Sequence, residues 1–326
     1  MKNETMFRFK IINMDVLITG AFGFVGSNLS VSICNLKNTG VIAVDIAESK
    51  PHCYNSFIPW DQTAKIEKLQ LDAIIHLAGK AHDTKNTTDE NEYFDVNLGL
   101  TRKIFEVFIK SSAHKFIFFS SVKAVADKVI TGQLTEDEVP NPQTAYGKSK
   151  LAAENYILNQ TLPVGKKVYI LRPCMIHGPG NKGNLNLLFK IVQTGIPWPL
   201  GSFGNSRSFT SIDNLAFVVK QILENEIMPG VYNVADDEVL STNGLIELIA
   251  ASQNKKPRIW ALNKKLIVIV AKIGDKLSLP LNSERLGKLT ESYIVSNQKL
   301  KNALGVKVMP VGAVEGMEKT LASFRK

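Results

Sequence analysis

The sequence predicts an α/β protein: a doubly wound parallel sheet with a smaller mixed α/β lobe toward its C-terminal end. Three observations predict it. Short apolar runs alternate with helical patterns through the first half of the chain, which is how strands of a parallel sheet buried on both faces read. The first run, Val16 to Ile18, breaks into Gly20, Gly23 and Gly26 and passes at once into a helix. That order of strand, glycine turn and helix is the context of a Rossmann-type dinucleotide site. Beyond Arg172 the texture changes, because Pro173, Gly178, Pro179, Gly180 and Gly183 interrupt the alternation. The expected organisation is a loose extension over residues 1–13, a nucleotide-binding domain over 14–172, and a substrate lobe over 173–326 from which some segments return to the first domain.

The elements follow in order. Phe24 to Leu36 reads as a helix ended by Thr39-Gly40, and Val41 to Asp45 as a second buried strand. A short helix is expected at Asp61 to Leu69, then a strand at Asp72 to Leu77 running into Ala78-Gly79, where small residues let a ligand pass close. Lys80 to Glu90 is polar and loop-like. Glu92 to Lys110 reads as one long helix with Phe94, Leu98, Phe105 and Phe108 on its apolar face and Asn97 within it. Phe116 to Ser121 is a strand ending in two serines. Ala145 opens a helix to about Gln160, and Val168 to Leu171 is the next strand. In the second half the sequence predicts a helix at Leu185 to Gln193, an extended stretch at Ser206 to Ile212, and a helix capped by Asp213 and running to Asn225. A strand at Val231 to Val234 and a helix capped by Ser241 or Thr242 follow.

Composition narrows the function classes. With 326 residues, 44% hydrophobic and 21% charged, the chain is long enough for two lobes and ordinary for a globular protein. The net charge of +9 suits an anionic partner, but the lysines are scattered without interleaved aromatics, which argues against nucleic acid. Cys34, Cys53 and Cys174 are odd in number and form no C-x-x-C, so reduced thiols in a cytoplasmic protein are expected. The histidines (His52, His76, His82, His114 and His177) show no ligand spacing, and no metal is expected. Residues 1–13 lack the apolar core of a signal peptide. The run Leu266 to Ala271 is too short to span a bilayer.

The chemistry is carried by spacing. Gly20 permits a tight reversal, Gly23 lets backbone lie against a pyrophosphate, and Gly26 lets the helix pack close on the strand. The first helical turn, with Phe24 and Val25, offers free N–H groups to phosphate. The pattern here is G-x-x-G-x-x-G, and alone it also fits a turn without a ligand. Asp45, about 20 residues on, can accept from a ribose and repels a 2′-phosphate, so NAD(H) is favoured over NADP(H). Tyr146 and Lys150 stand at i and i+4 on one helix face. An ammonium beside a phenol stabilises the phenolate, and the helix N-terminus adds to that. Ser121, at a strand end, can hydrogen-bond a substrate oxygen. Together the three form a proton-transfer site.

With these residues the chain resembles the extended short-chain dehydrogenases/reductases, in particular the NAD-dependent nucleotide-sugar epimerase/dehydratase group. The resemblance runs from Met14 to the end and rests on T-G-A-F-G-F-V-G, H-L-A-G (His76 to Gly79), V-N-L-G (Val96 to Gly99), F-S-S, Y-G-K-S-K and L-R-P. It implies Tyr146 as acid/base, Lys150 as the group holding the ribose and tuning the tyrosine, and Ser121 as the contact to the reacting oxygen. Leu77, Ala78, Gly79 and Asn97 fall with the cofactor. In the later half, Asn184 and Leu185 resemble the segment at the substrate diphosphate, Arg207 the arginine on the nucleotide, and Arg285 a second phosphate contact; guanidinium forks suit such oxygens. A homodimer is implied as well. Dehydratases of the group carry Asp-Glu just after the serine or threonine. Here Val122-Lys123 stands there, which disfavours dehydration. Val125-Ala126 replaces a common Tyr-Gly.

The leading expectation is a UDP-hexose or UDP-N-acetylhexosamine 4-epimerase in surface-polysaccharide sugar biosynthesis. The same residues also fit a one-way NAD(P)H-dependent reductase of a UDP-4-keto-6-deoxy-sugar. Two further readings stay open: a non-catalytic NAD-binding sensor, and a membrane-associated epimerase of a polyprenyl-linked sugar. For the last, the pattern from Leu262 to Leu281 offers an interfacial helix.

Overall fold

The computed structural model describes residues 14–325 other than 51, 82–88, 131, 182 and 278–281. The expected N-terminal extension, His82 and most of the Lys80–Glu90 stretch lie outside the described residues.

The chain begins with β1 (Met14–Thr19), α1 (Phe24–Cys34), β2 (Thr39–Asp45) and β3 (Ser56–Pro59), followed by a 3₁₀ segment at Trp60–Lys68. Next come β4 (Ala73–His76), α2 (Glu90–Phe94), a π-helical turn at Asp95–Gly99, α3 (Leu100–Lys110) and β5 (Lys115–Phe119). A 3₁₀ turn at Val122–Ala124 precedes α4 (Ala145–Leu158) and β6 (Lys167–Pro173). The remainder comprises β7 (Met175–His177), α5 (Asn184–Gln193), β8 (Phe209–Ser211), α6 (Ile212–Glu224), β9 (Gly230–Val234) and α7 (Thr242–Ser252), then α8 (Lys264–Leu277), α9 (Ser283–Thr290), α10 (Gln298–Leu304) and α11 (Ala313–Ser323).

Seven parallel strands form the main sheet in the order β3-β2-β1-β4-β5-β6-β9. Alternate residues of each strand point to opposite faces. Val16, Ile18, Ile75, Ile117 and Tyr169 therefore join one core, with α1, α6 and α10. Leu17, Ile74, Phe116, Phe118 and Ile170 join the other, with α3 and α4. The chain leaves β1 toward β2 on one side and crosses to β4 on the other. The crevice at the carboxyl ends of β1 and β4 is thus a topological switch point, where ligands of open α/β sheets bind. A separate core holds the C-terminal lobe together: Leu188, Phe189 and Trp198 meet Ile246, Ile249, Ile267, Leu286 and Met317. The lobe is tied to the sheet by a buried polar knot. Asp236 accepts from Ser211 N (3.0 Å), Ser211 Oγ (3.1 Å) and Asn214 Nδ2 (2.7 Å), and His177, beside it at 3.4 Å, is also bonded to Thr320 Oγ1 at 2.9 Å.

Several local expectations are corrected. Strand β3 was not foreseen; it is four residues long, ends in Pro59 and lies at the sheet edge, where a missing N–H is tolerated. The single helix expected at Glu92 to Lys110 is divided by the π-helical turn that carries Asn97. Ser211, not Asp213, caps α6, its hydroxyl accepting from Asn214 N at 3.2 Å, while Asp213 sits in the first turn. Of Ser241 and Thr242, Ser241 caps α7. The three reduced thiols become one: Cys34 and Cys53 form a disulfide and Cys174 is buried and free. The pair is 19 residues apart, but the parallel return from α1 through β2 sets the two Cα atoms at 6.3 Å.

Candidate active site

The glycine turn behaves as its residues require. Gly20 has φ +66°, and a Cβ there would stand 2.7 Å from Ala78 N, so β1 and β4 can approach only with glycine at this point. A Cβ on Gly26 would meet Gly20 O at 2.4 Å, which explains the close helix–strand packing. Gly23 caps α1 without a side-chain bond, and no acid stands in the first turn. The N–H groups of Phe24, Val25 and Gly26 therefore lie at a helix start that no side chain of the turn covers, an arrangement that takes an anion. The Asp45 carboxylate accepts from Phe22 N at 2.9 Å and Ile46 N at 2.8 Å, which fixes the acid at the end of β2 against the glycine turn. Tyr54 braces the same turn, its hydroxyl donating to Ala21 O at 2.7 Å. These groups fit the adenosine and pyrophosphate of NAD: a backbone cradle with no side chain in it, and a carboxylate with lone pairs left for ribose hydroxyls.

Across the switch point, Leu77 follows β4 and packs half-buried on the first core. Gly79 is exposed, and a Cβ on it would meet Asn97 Oδ1 at 2.8 Å and Lys150 Nζ at 3.1 Å. Asn97 is wholly buried. Its Oδ1 accepts from Lys80 N at 2.8 Å and its Nδ2 donates to Lys80 O (3.1 Å) and Ser149 Oγ (2.9 Å). The π-helical turn thus aims one amide at both the chain after β4 and the face of α4.

Helix α4 presents Tyr146, Lys150 and Glu154 at i, i+4 and i+8. Thr144 caps it, accepting from Gly147 N at 3.2 Å, and Asp127 in turn holds Gln143 N at 2.7 Å. Gly147 is required because a Cβ there would stand 2.4 Å from Lys123 O. Close approach of the helix to the turn after β5 is what brings Ser121 and Tyr146 together. Burial holds the Tyr146 phenol above its ordinary value, and a hydrogen-bonding contact to Ser121 works against that. Lys150 is buried and donates to Phe119 O at 2.9 Å, with Nζ 5.1 Å from the Phe118 ring. Desolvation lowers its pKa to about 8, with Glu154 opposing the shift. The ammonium was expected to lower the tyrosine directly. Instead it reaches the end of β5, and the leading influence on the phenol is burial.

Below these groups lies a polar layer absent from the expected site. His76 is fully buried between Thr19 Oγ1 at 2.7 Å and Thr101 Oγ1 at 3.1 Å, and burial, with Lys150 nearby, lowers its pKa to about 3. Glu154 receives Arg172 through Nε at 3.0 Å and Nη2 at 2.5 Å, and also Ser120 Oγ. The L-R-P signature and the i+8 spacing from Tyr146 were the available signals for this pair.

The lobe-side residues are placed less uniformly. Leu185 points into the lobe core, so it can offer a ligand only backbone; Asn184 opens α5. Arg207 bonds its backbone to Leu240 in both directions at 3.0 Å, and Nη1 donates to Lys288 O. Arg285 lies exposed on α9. Lys123, recorded in the sequence only as a missing carboxylate, turns out to line this region. Its Nζ donates to Asp127 O at 2.7 Å and stands 4.4 Å from the centre of the Tyr293 ring. Burial lowers its pKa, and Arg207 acts in the same direction. Lys123 and Arg207 thus lie within electrostatic reach of each other, with Asp127 beside Lys123 and Glu291 acting on both.

Residues 16–235 match the NAD dependent epimerase/dehydratase family. A UDP-glucose 4-epimerase of Vibrio cholerae is 30% identical over 324 residues, covering 95% of either chain. An N-acetyl-alpha-D-glucosaminyl-diphospho-ditrans,octacis-undecaprenol 4-epimerase of Escherichia coli O157:H7 is 30% identical over 257 residues, 75% of this chain and 74% of its own. Among solved structures, the UDP-N-acetylglucosamine 4-epimerase of Bacillus cereus superposes with a TM-score of 0.75 at 20% identity, over 96% of this chain and 100% of its own. The glycine turn, the Asp45 acid and the Tyr146–Lys150 helix thus stand in a chain that belongs to the NAD-dependent epimerase/dehydratase family of enzymes.

Proposed function

We propose that the chain interconverts a UDP-hexose or UDP-N-acetylhexosamine with its C4 epimer, in sugar supply for surface polysaccharide. The observation that carries this reading is the convergence of Ser121, Tyr146 and Lys150 at the carboxyl end of the sheet, beside the exposed backbone of Gly79. Bound NAD supplies hydride exchange at C4, so the sugar passes through a 4-keto form. In this mechanism Ser121 holds the C4 oxygen. Tyr146 takes the C4 hydroxyl proton as the carbonyl forms and gives it back when the hydroxyl is restored. Lys150, an ammonium below about pH 8, would hold the ribose hydroxyls. Phe24, Val25 and Gly26 would hold the pyrophosphate through backbone N–H groups, and Asp45 would select a ribose without a 2′-phosphate. Lys123 and Arg207 supply positive charge for the substrate diphosphate, with Asn184 and Arg285 as further contacts to the nucleotide sugar. The position occupied by Lys123 holds an acid in dehydratases, and its loss favours chemistry confined to C4.

The reading includes a homodimer, to be checked by sedimentation. It also places the enzyme in the cytoplasm, where the Cys34–Cys53 link, with Cys53 exposed, is open to cellular reductants. A small panel of UDP-sugars followed by proton NMR tests the activity. Accumulation of the 4-epimer from either direction, with only catalytic NAD, supports it. Consumption of one NADH per molecule of a 4-keto-sugar, with no cofactor retained on purification, would replace it with the reductase reading.

A further inference from the structure

Helix α8 carries two apolar stripes, one more than packing in the lobe requires. Ile267, Ala271 and Gly274, at i, i+4 and i+7, are buried. At about 100° per residue a second stripe runs beside them. It consists of Leu266, Ile269, Val270, Ile273 and Leu277, which are 55%, 54%, 40%, 48% and 64% exposed. Next around the helix, on the side opposite the core, stand Lys265, Lys272 and Lys276. Lys264 begins the helix, and its one acid, Asp275, is already engaged by Ser283 N at 2.9 Å and Ser283 Oγ at 2.5 Å. Trp260, just upstream, is also mainly exposed. The helix has 14 residues, and among the described residues no helix is long and apolar enough to cross a membrane.

We propose that this face of α8 docks the enzyme on an anionic lipid bilayer, the helix lying in the interface with its stripe among the acyl chains and its lysines among the headgroups. Charge decides the occupant. The row of lysines complements a negative surface. A second copy of the same face offers no such negative charge. None of the side chains of this face is among those assigned to the cleft, so the proposal holds whether the substrate is free or lipid-linked.

Vesicle flotation of the full chain tests it, with phosphatidylglycerol–phosphatidylcholine vesicles set against pure phosphatidylcholine. The wild-type chain is expected to float with the anionic vesicles only. Ile269→Ser with Ile273→Ser should lower partitioning about a hundredfold through lost apolar burial. Lys265→Gln with Lys272→Gln and Lys276→Gln should lower it at least about tenfold. Because all five side chains are exposed, both variants should keep the wild-type melting temperature and turnover in solution. Failure of the wild type to float with anionic vesicles would overturn the proposal, as would flotation of either variant as strong as the wild type. A dimer in sedimentation that the Ile269/Ile273 variant dissolves would assign the stripe to a second copy instead.

Discussion

Glu154 and Arg207 are both charged groups close to the turn after β5, and the molecule treats them in opposite ways. Glu154 is fully buried and receives both Arg172 and Ser120. Arg207 is half-buried and leans on a backbone carbonyl, with the Glu291 carboxylate as its leading charged neighbour and Lys123 as a like-charged one. The same contrast separates the two halves. On the sheet side, Asn97, His76, Lys150 and Glu154 are buried and hydrogen-bonded within the protein. On the lobe side, Lys123, Arg207 and Arg285 stand half-buried or exposed. A side chain already paired inside the fold holds a position before any ligand arrives. Cations left partly exposed gain when an anion joins them. The difference teaches that the cofactor half is built to hold geometry and the substrate half to attract charge.

The largest expected effect lies on the sheet side. Tyr146→Phe should reduce kcat by about a thousandfold, within the range for a general acid/base, while cofactor retained on purification stays unchanged. Comparable turnover by the variant would take Tyr146 out of the chemistry. Glu154→Gln should cost about 3–5 kcal/mol in urea unfolding, because it leaves Arg172 buried without its counter-charge. An unchanged midpoint would erase the contrast with the lobe.

His76 sharpens the comparison through pH. Its folded pKa of about 3 lies below the ordinary histidine value. As pH falls below about 6.5 the unfolded chain takes up a proton that the folded chain refuses. Stability present above that pH is therefore lost toward pH 3, at up to about 1.4 kcal/mol per pH unit. Denaturation followed across this window should show the slope in the wild type and a shallower one in His76→Gln. The smallest effect belongs to the lobe. Arg207→Ala should raise KM for the nucleotide sugar about tenfold, the scale of one charged hydrogen bond, with little change in melting temperature. A collapse of stability there would show the arginine to be structural.

Much of the sheet half was legible because its signals are local. Apolar runs mark strands, and Gly20, Gly23 and Gly26 leave no alternative to a tight strand–helix turn. The Tyr146–Lys150 spacing places two groups on one face. What escaped depends on distant partners. The β3 strand is four residues that gain their identity from pairing with β2. The π-helical turn around Asn97 is fixed by bonds to Lys80 and Ser149, not by its own composition. Cys34 and Cys53 meet only once β2 returns parallel to β1. Lys123 looked like an absent carboxylate until Tyr293, 170 residues later in sequence, supplied the ring it stacks on. In the lobe, Arg207 sits on isolated bridges to Leu240 and Tyr293, where periodicity carries no information.

The claim on which the rest depends is that hydrogen leaves C4 and returns to the same sugar within one site. Its most direct test is a UDP-N-acetylhexosamine carrying deuterium at C4, incubated with the purified enzyme and catalytic, unlabelled NAD in ordinary water. The account requires the 4-epimer to form with its deuterium still at C4 and no net change in NADH. Epimer that has exchanged its label for hydrogen, or a sugar left unchanged while NADH is consumed against a keto-sugar, would contradict it.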